Sequence, residues 1–244
     1  MIDLSRRNLV RGALAAPLAL TASAVAAETL EEQCKHALLP TLDFPQLAKY
    51  RDDNARLIAS HAPVDVVFMG DSITEGWKDK RPGFFTSGRI DRGISGQTTP
   101  QMVLRMMADV IALNPTAVHI MAGTNDIAGN TGPMTAAMSE DNFRMMSDIA
   151  RMHRIKLLIA SIPPAASFPW RPGLETRGRI AELNAWLKRF ASETGATWVD
   201  YHPVLDDGTG AMKPGMAYDG VHPTEAGYDA MASVVEPILR RVLA

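Results

Sequence analysis

The 244-residue chain is nearly devoid of cysteine, carries little net charge and has no obvious membrane-spanning run. Cys34 is the only cysteine, which excludes an internal disulfide. The residues before it, Glu31-Glu32-Gln33, do not form a lipobox, which argues against a lipid anchor there. The formal charge is -2, with both signs scattered along the chain, so there is no basic patch to suggest nucleic acid as a partner. No group of His, Cys and carboxylate residues has the spacing of zinc ligands, so no metal is implied. The uncharged stretch Gly12–Ala27 has sixteen residues, many of them Ala. It falls short of the roughly 20 that a spanning helix needs, so stable membrane insertion is not expected.

That stretch reads instead as a secretory signal. Arg6 and Arg7 precede it, and Ala24-Val25-Ala26-Ala27 supplies small residues for a peptidase. The paired arginines resemble a twin-arginine export signal. The expectation is removal of residues 1–26, a single domain over 27–244, and a periplasmic or secreted location. That length suffices for one sizeable core.

Apolar runs alternate with segments of helical period. Val64–Met69, Ala117–Ala122 and Lys156–Ile162 read as buried strands, with Arg89–Ile94 and Thr197–Asp200 as weaker ones. Met102, Met106, Val110 and Leu113 form one helical stripe. Phe143, Met146, Ile149 and Ala150 form a second, and Ile180, Leu183, Leu187 and Phe190 a third. A fourth runs from Met231 to Val242, with Pro237 expected to kink it. Most of the fourteen methionines fall on such stripes and read as core filler. This alternation predicts a parallel sheet covered on both faces. Ligands then bind beyond the carboxyl ends of the strands.

The chemistry-bearing residues fall at those ends. Gly70-Asp71-Ser72 follows the first strand, where Ser72 is either an exposed hydroxyl at a helix start or simply a helix cap. Gly96, after the second, lets a ligand approach its N–H, or is only a turn glycine. Asn125 and Asp126 follow the third; Asn125 has an amide suited to an oxyanion, although both residues are common in turns. Asp219 and His222, three apart before the last helix, suit a carboxylate orienting an imidazole. Alternatively, His222 is a surface residue fixed by a local turn.

Taken together and in this order, these segments resemble blocks I, II, III and V of the SGNH (GDSL-type) hydrolases, from about Val64 to the C-terminus. The segment Phe68–Trp77 resembles the branch of bacterial short-chain acylesterases and platelet-activating-factor acetylhydrolase-like proteins. The resemblance implies a flavodoxin-like three-layer α/β/α sandwich around a central, mainly parallel five-stranded sheet. It also implies that Ser72 is the nucleophile, His222 the base and Asp219 its orienter, with Gly96 and Asn125 in the oxyanion hole. No cofactor is called for. The expected substrate is a short acyl ester, acetyl above all, of a carbohydrate or lipid alcohol. A lysophospholipase or thioesterase taking longer chains is the alternative. A non-catalytic carbohydrate-binding module is disfavoured by the complete set of five residues. Asp91-Arg92-Gly93 departs from members that carry Asn before the Arg, at no cost to the chemistry.

His119 reads as a core residue within a strand, while His202 rivals His222 as base but lacks a carboxylate in the same relation. Finally, the proline-rich segment Pro163–Gly173 carries Phe168 and Trp170 beyond a strand end. These aromatics either wall the substrate pocket, with Trp77 opposite, or fold back onto the core.

Overall fold

Five short segments become strands, their side chains facing protein at most positions. Val66–Gly70 (β1) and Ala117–Met121 (β3) are buried at every position. They are flanked by Arg89–Gly93 (β2), Lys156–Ala160 (β4) and Thr197–Val199 (β5). All four pairings are parallel, in the order β2-β1-β3-β4-β5. This is the flavodoxin-like order, whose connections reverse direction between β1 and β3. The expected strands are all present, with their ends shifted by one or two residues; the first starts two residues later and runs one further, to Gly70. The computed structural model describes residues 42–86 and 88–244. The signal segment expected over 1–26 and Cys34 lie outside the described residues.

Residues Leu47–Ala244 form one compact unit. Its longer helices are Arg51–Ser60 (α1), Ser72–Lys80 (α2) and Thr99–Asp109 (α3). After the single turn Thr124–Ala128 (α4) come Ala136–Met152 (α5) and Arg177–Thr194 (α6). The short His202–Leu205 (α7) precedes the last helix, Glu225–Leu243 (α8). Packing runs α1 to α3, α3 to α5 and α5 to α6 in one layer, while α2 meets α8 in the other. The result is the three-layer α/β/α sandwich. Among the described residues no helix is long and apolar enough to cross a membrane.

Side chains alternate across the sheet, so neighbouring strands bury matching faces. Phe68 and His119 are register partners on β1 and β3, with ring centroids 4.8 Å apart. They face an aromatic cluster in which Trp77 stacks on Phe84 at 4.6 Å and on Tyr228 at 5.7 Å. Burial of one such large apolar side chain contributes about 1.5–3 kcal/mol. His119 is therefore a core residue, as its sequence context suggested. Its Nε2 meets the Tyr201 hydroxyl at 2.9 Å, and burial pushes its pKa down to about 3. Trp77 does not line a pocket. It is fully buried in this cluster, because a helix leaving β1 turns its sixth residue inward against the sheet. Pro237 lies inside α8, which runs through it without a break.

The α3 stripe carries a feature that apolar periodicity alone does not show. Arg105 and Asp109 share the buried face with Met102 and Met106 and form an ion pair at 3.1 Å. Arg105 also donates to the Gly70 carbonyl at 2.9 Å and to Gln97 Oε1 at 2.6 Å. One buried guanidinium thus ties the end of β1 to the loop after β2. Such a pair is tolerated because its hydrogen-bonding capacity is filled.

Candidate active site

The carboxyl ends of β1 and β3 flank the point where connections diverge, and there the sheet leaves room for a ligand. The chain leaves β1 through Gly70 and enters α2 at once. Asp71 caps that helix, its side chain accepting from the Ile73 N–H at 2.9 Å. Ser72 is therefore not the cap. Its side chain is spent on no helix terminus, and its N–H is one of the first-turn donors that lack an intrahelical acceptor. Burial pushes the Asp71 carboxyl up to about 6, against the opposing pull of the Ile73 N–H and of nearby His222.

Ser72 Oγ lies 2.9 Å from His222 Nε2, although the two are 150 residues apart. His222 Nδ1 lies 2.6 Å from Asp219 Oδ2. The tight turn Asp219–His222 explains the second contact. Asp219 Oδ1 accepts the N–H groups of Val221 at 2.9 Å and His222 at 2.7 Å, which leaves Oδ2 for the ring. Burial raises the Asp219 pKa, but the backbone N–H and ring of His222 and the Val221 N–H outweigh it and hold the carboxyl below its ordinary value. An ionised acceptor on Nδ1 places the ring proton there and leaves Nε2 free to accept from a hydroxyl.

The other two predicted residues come to the same edge. Gly96 has a left-handed φ of 77°, and a β-carbon there would meet nothing within 4 Å, so its backbone borders open space. Asn125 is buried in the first turn of α4. Its Nδ2 donates to the Gln97 carbonyl at 3.0 Å and lies 3.4 Å from Asp71 Oδ2. Asp126 braces the loops, accepting from the Thr99 N–H at 3.1 Å and the Ser139 hydroxyl at 3.0 Å. All five predicted residues are thus gathered around one strand edge.

His202 belongs elsewhere. Its Nε2 sits 2.8 Å from the Ile162 carbonyl and 2.9 Å from Asn184 Nδ2, beside the β4 exit. A carboxylate does lie near it, Asp206 Oδ2 at 3.7 Å from Nδ1, but four residues after the histidine and not in the relation of Asp219 to His222. Nε2 of His202 is taken up by the Ile162 carbonyl or the Asn184 amide, whereas the Ser72 hydroxyl contacts His222.

The aromatic loop divides between its two possible fates. Phe168 is fully buried, while Trp170 lies over it, stacked at 5.1 Å and 37% exposed. The Trp170 ring stands 6.0 Å from that of His222. On another side Tyr218, 66% exposed, stacks on His222 at 5.7 Å. The imidazole is flanked by two accessible aromatic rings. Beside Trp170 a cavity of about 650 Å³ is lined by Ile127, Pro133, Met134, Arg171 and Leu174, among others. Among the described residues no group of three or more His, Cys, Asp or Glu is arranged to hold a metal ion.

Sequence reasoning missed Arg105, Tyr218 as a ring partner, and Asn130. A signal existed for the first, since Arg105 and Asp109 fall in register with a buried helical stripe. Asn130 lies in a Gly-Asn-Thr-Gly loop that reads only as a turn.

Fold and site together define an ester-hydrolysing enzyme built on a flavodoxin-like sheet. Residues 68–230 match the GDSL-like Lipase/Acylhydrolase family, and the chain belongs to that family of carboxylic ester hydrolases. A GDSL-like lipase from Bacteroides thetaiotaomicron is 40% identical with a TM-score of 0.77, covering 82% of this chain and 99% of its own. An acetylxylan esterase from Geobacillus stearothermophilus is 28% identical over 59% of this chain and 68% of its own length. A Streptococcus pneumoniae protein described as a platelet activating factor, 22% identical, shares the fold with a TM-score of 0.70 over 85% of this chain and 99% of its own.

Proposed function

We propose that the protein is an exported serine esterase that removes short acyl groups, acetyl foremost, from a carbohydrate alcohol. The observation that carries this reading is the unbroken relay from Ser72 Oγ through His222 to Asp219, at 2.9 and 2.6 Å. The Ser72 oxygen attacks the ester carbonyl while its proton passes to His222 Nε2. The N–H groups of Ser72 and Gly96 and the Asn125 amide stabilise the resulting oxyanion. Collapse breaks the carbon–oxygen bond to the alcohol, which departs with the proton from His222. Water then attacks the acyl-serine, with His222 taking and returning a proton.

A sugar alcohol is favoured over a long lipid chain by the two rings around His222. Tyr218 and Trp170 offer flat, partly polar and partly exposed surfaces beside His222, and these suit the faces of a sugar ring. The acetylxylan esterase among its relatives points the same way. The alternative, a longer acyl chain, finds support in the cavity beside Trp170, whose lining includes Met134 and Leu174. Trp170→Ala is expected to change the ranking of esters more than it changes stability, because the ring is one-third exposed and its stacking partner Phe168 stays buried. The check is kcat/KM over acetyl to octanoyl aryl esters and acetylated xylo-oligosaccharides, beside a thermal melt. Selective loss on the acetylated sugars supports the glycan reading. Selective loss on the longest acyl chains gives the site to lipid-like esters.

Export is the second element of the reading, and Arg6 with Arg7 ahead of the apolar run supports it. Replacing both by Lys is expected to hold the protein in the cytoplasm, as read by fractionation and immunoblot. Unchanged export of that variant would instead assign the general secretory route.

A further inference from the structure

We infer that Asn130, a residue outside the Ser–His–Asp relay, is a positioning residue that sets the orientation of the Asn125 amide and couples it to Trp170. This rests on the assignment of Asn125 to the oxyanion hole. Asn130 Oδ1 accepts the Trp170 indole N–H at 3.1 Å. Asn130 Nδ2 donates to Asn125 Oδ1 at 2.8 Å and reaches the Gly96 carbonyl at 3.4 Å. Asn125 Nδ2 in turn donates to the Gln97 carbonyl.

The chain has only one consistent polarity. An indole N–H can only donate, so it must face an acceptor, and the Asn130 oxygen points to Trp170. The Asn130 nitrogen is then the atom facing Asn125, which must present its own oxygen. At the far end the Gln97 carbonyl can only accept, and it requires the same orientation of Asn125. Two groups of fixed polarity therefore lock both amides: the Asn125 NH₂ keeps one hydrogen on the Gln97 carbonyl at 3.0 Å rather than flipping, and its long 3.4 Å contact with Asp71 Oδ2 leaves the other hydrogen for an oxyanion. A flipped Asn125 would present an oxygen lone pair to a developing oxyanion. The Asn130 backbone strengthens the arrangement, its N–H donating to the Asn125 carbonyl at 3.1 Å.

The same contact makes the aromatic loop part of the chemistry. Trp170 is fastened to Asn130, and its neighbour Arg171 is fastened to the Ala128 carbonyl at 2.6 Å. A substrate that presses on the Trp170 ring thus acts on the segment that aims Asn125.

The test is steady-state hydrolysis of p-nitrophenyl acetate by Asn125→Ala, Asn130→Ala and the double variant, with a thermal melt of each. Asn125→Ala is expected to lower kcat by about 10²–10³ with little change in KM. Asn130→Ala is expected to lower kcat about tenfold, again at nearly constant KM, the pattern of a group felt mainly in the transition state. In the double variant the Asn130 effect should vanish, because no amide remains to be oriented. Asn130→Asp keeps the acceptor for Trp170 but turns a carboxylate oxygen on Asn125, so it should lower kcat at least as far as Asn130→Ala. It serves as the deciding variant where alanine lowers the melting temperature. Effects that multiply in the double variant, or an unchanged kcat for Asn130→Asp, would overturn the inference. A kcat unmoved by Asn125→Ala overturns instead the oxyanion assignment beneath it.

Discussion

Replacing Ser72 by Ala is expected to lower kcat for short acyl esters by about 10⁶, the scale of loss when the nucleophile of such a relay is deleted. The physical basis is that the remaining groups can still polarise a carbonyl but have no oxygen to form the acyl-enzyme. The fold should survive. Asp71, not Ser72, caps α2, and the Ser72 side chain is half-buried, with its hydroxyl engaged by His222. A thermal melt should therefore shift by no more than about 0.5 kcal/mol in stability, the usual range for substitutions that remove no core contact or cap. The measurement is hydrolysis of p-nitrophenyl acetate at saturating substrate, with wild type and variant purified in parallel. Turnover within a factor of ten of wild type would remove Ser72 from the chemistry.

The reach of sequence reasoning differs between the sheet and the loops. β1, β3 and β4 were legible because a doubly covered parallel strand must be apolar at nearly every position, and few other elements produce such short unbroken runs. β2 and β5 were fainter, since Arg89-Ile90-Asp91-Arg92 and the three-residue Thr197–Val199 carry polar or too few side chains. Ser72, Gly96 and Asn125 were legible because each follows a strand, and backbone topology brings strand ends together; Asp219 and His222, beyond α7 and just before α8, were legible only by their three-residue spacing and by the order of the segments. What escaped depended on side-chain direction. Trp77 lies on the same short helix as Ser72, yet it turns inward to Phe84 and Tyr228. Phe168 and Trp170 are two residues apart, and one is buried while the other meets His222. No periodic pattern in a proline-rich loop distinguishes them. Asn130 was invisible for a different reason: its role lies in the polarity of hydrogen bonds spanning 40 residues to Trp170.

Asp219→Asn is expected to be nearly as damaging as losing a reacting group, lowering kcat by about 10⁴ through the wrong imidazole tautomer. The local geometry makes that outcome unusually well determined. Asp219 Oδ1 accepts two backbone N–H groups, from Val221 and His222, both of which can only donate. An asparagine in the same place must keep its oxygen on them, so its NH₂ is turned to His222 Nδ1. Facing a donor, Nδ1 gives up its proton, and the proton moves to Nε2. Nε2 then donates toward Ser72 instead of accepting from it, and the base is lost without any displaced atom. KM should change little, since the ground-state ester does not need the base. Asp219→Ala provides the contrast: it removes the turn's acceptor and should lower the melting temperature as well as kcat, whereas asparagine keeps the turn. A two-dimensional ¹⁵N NMR spectrum of the imidazole in Asp219→Asn reads the tautomer directly. Protonated Nδ1 with kcat still down by 10⁴ would refute the tautomer account, and kcat within a factor of ten of wild type would remove Asp219 from the relay.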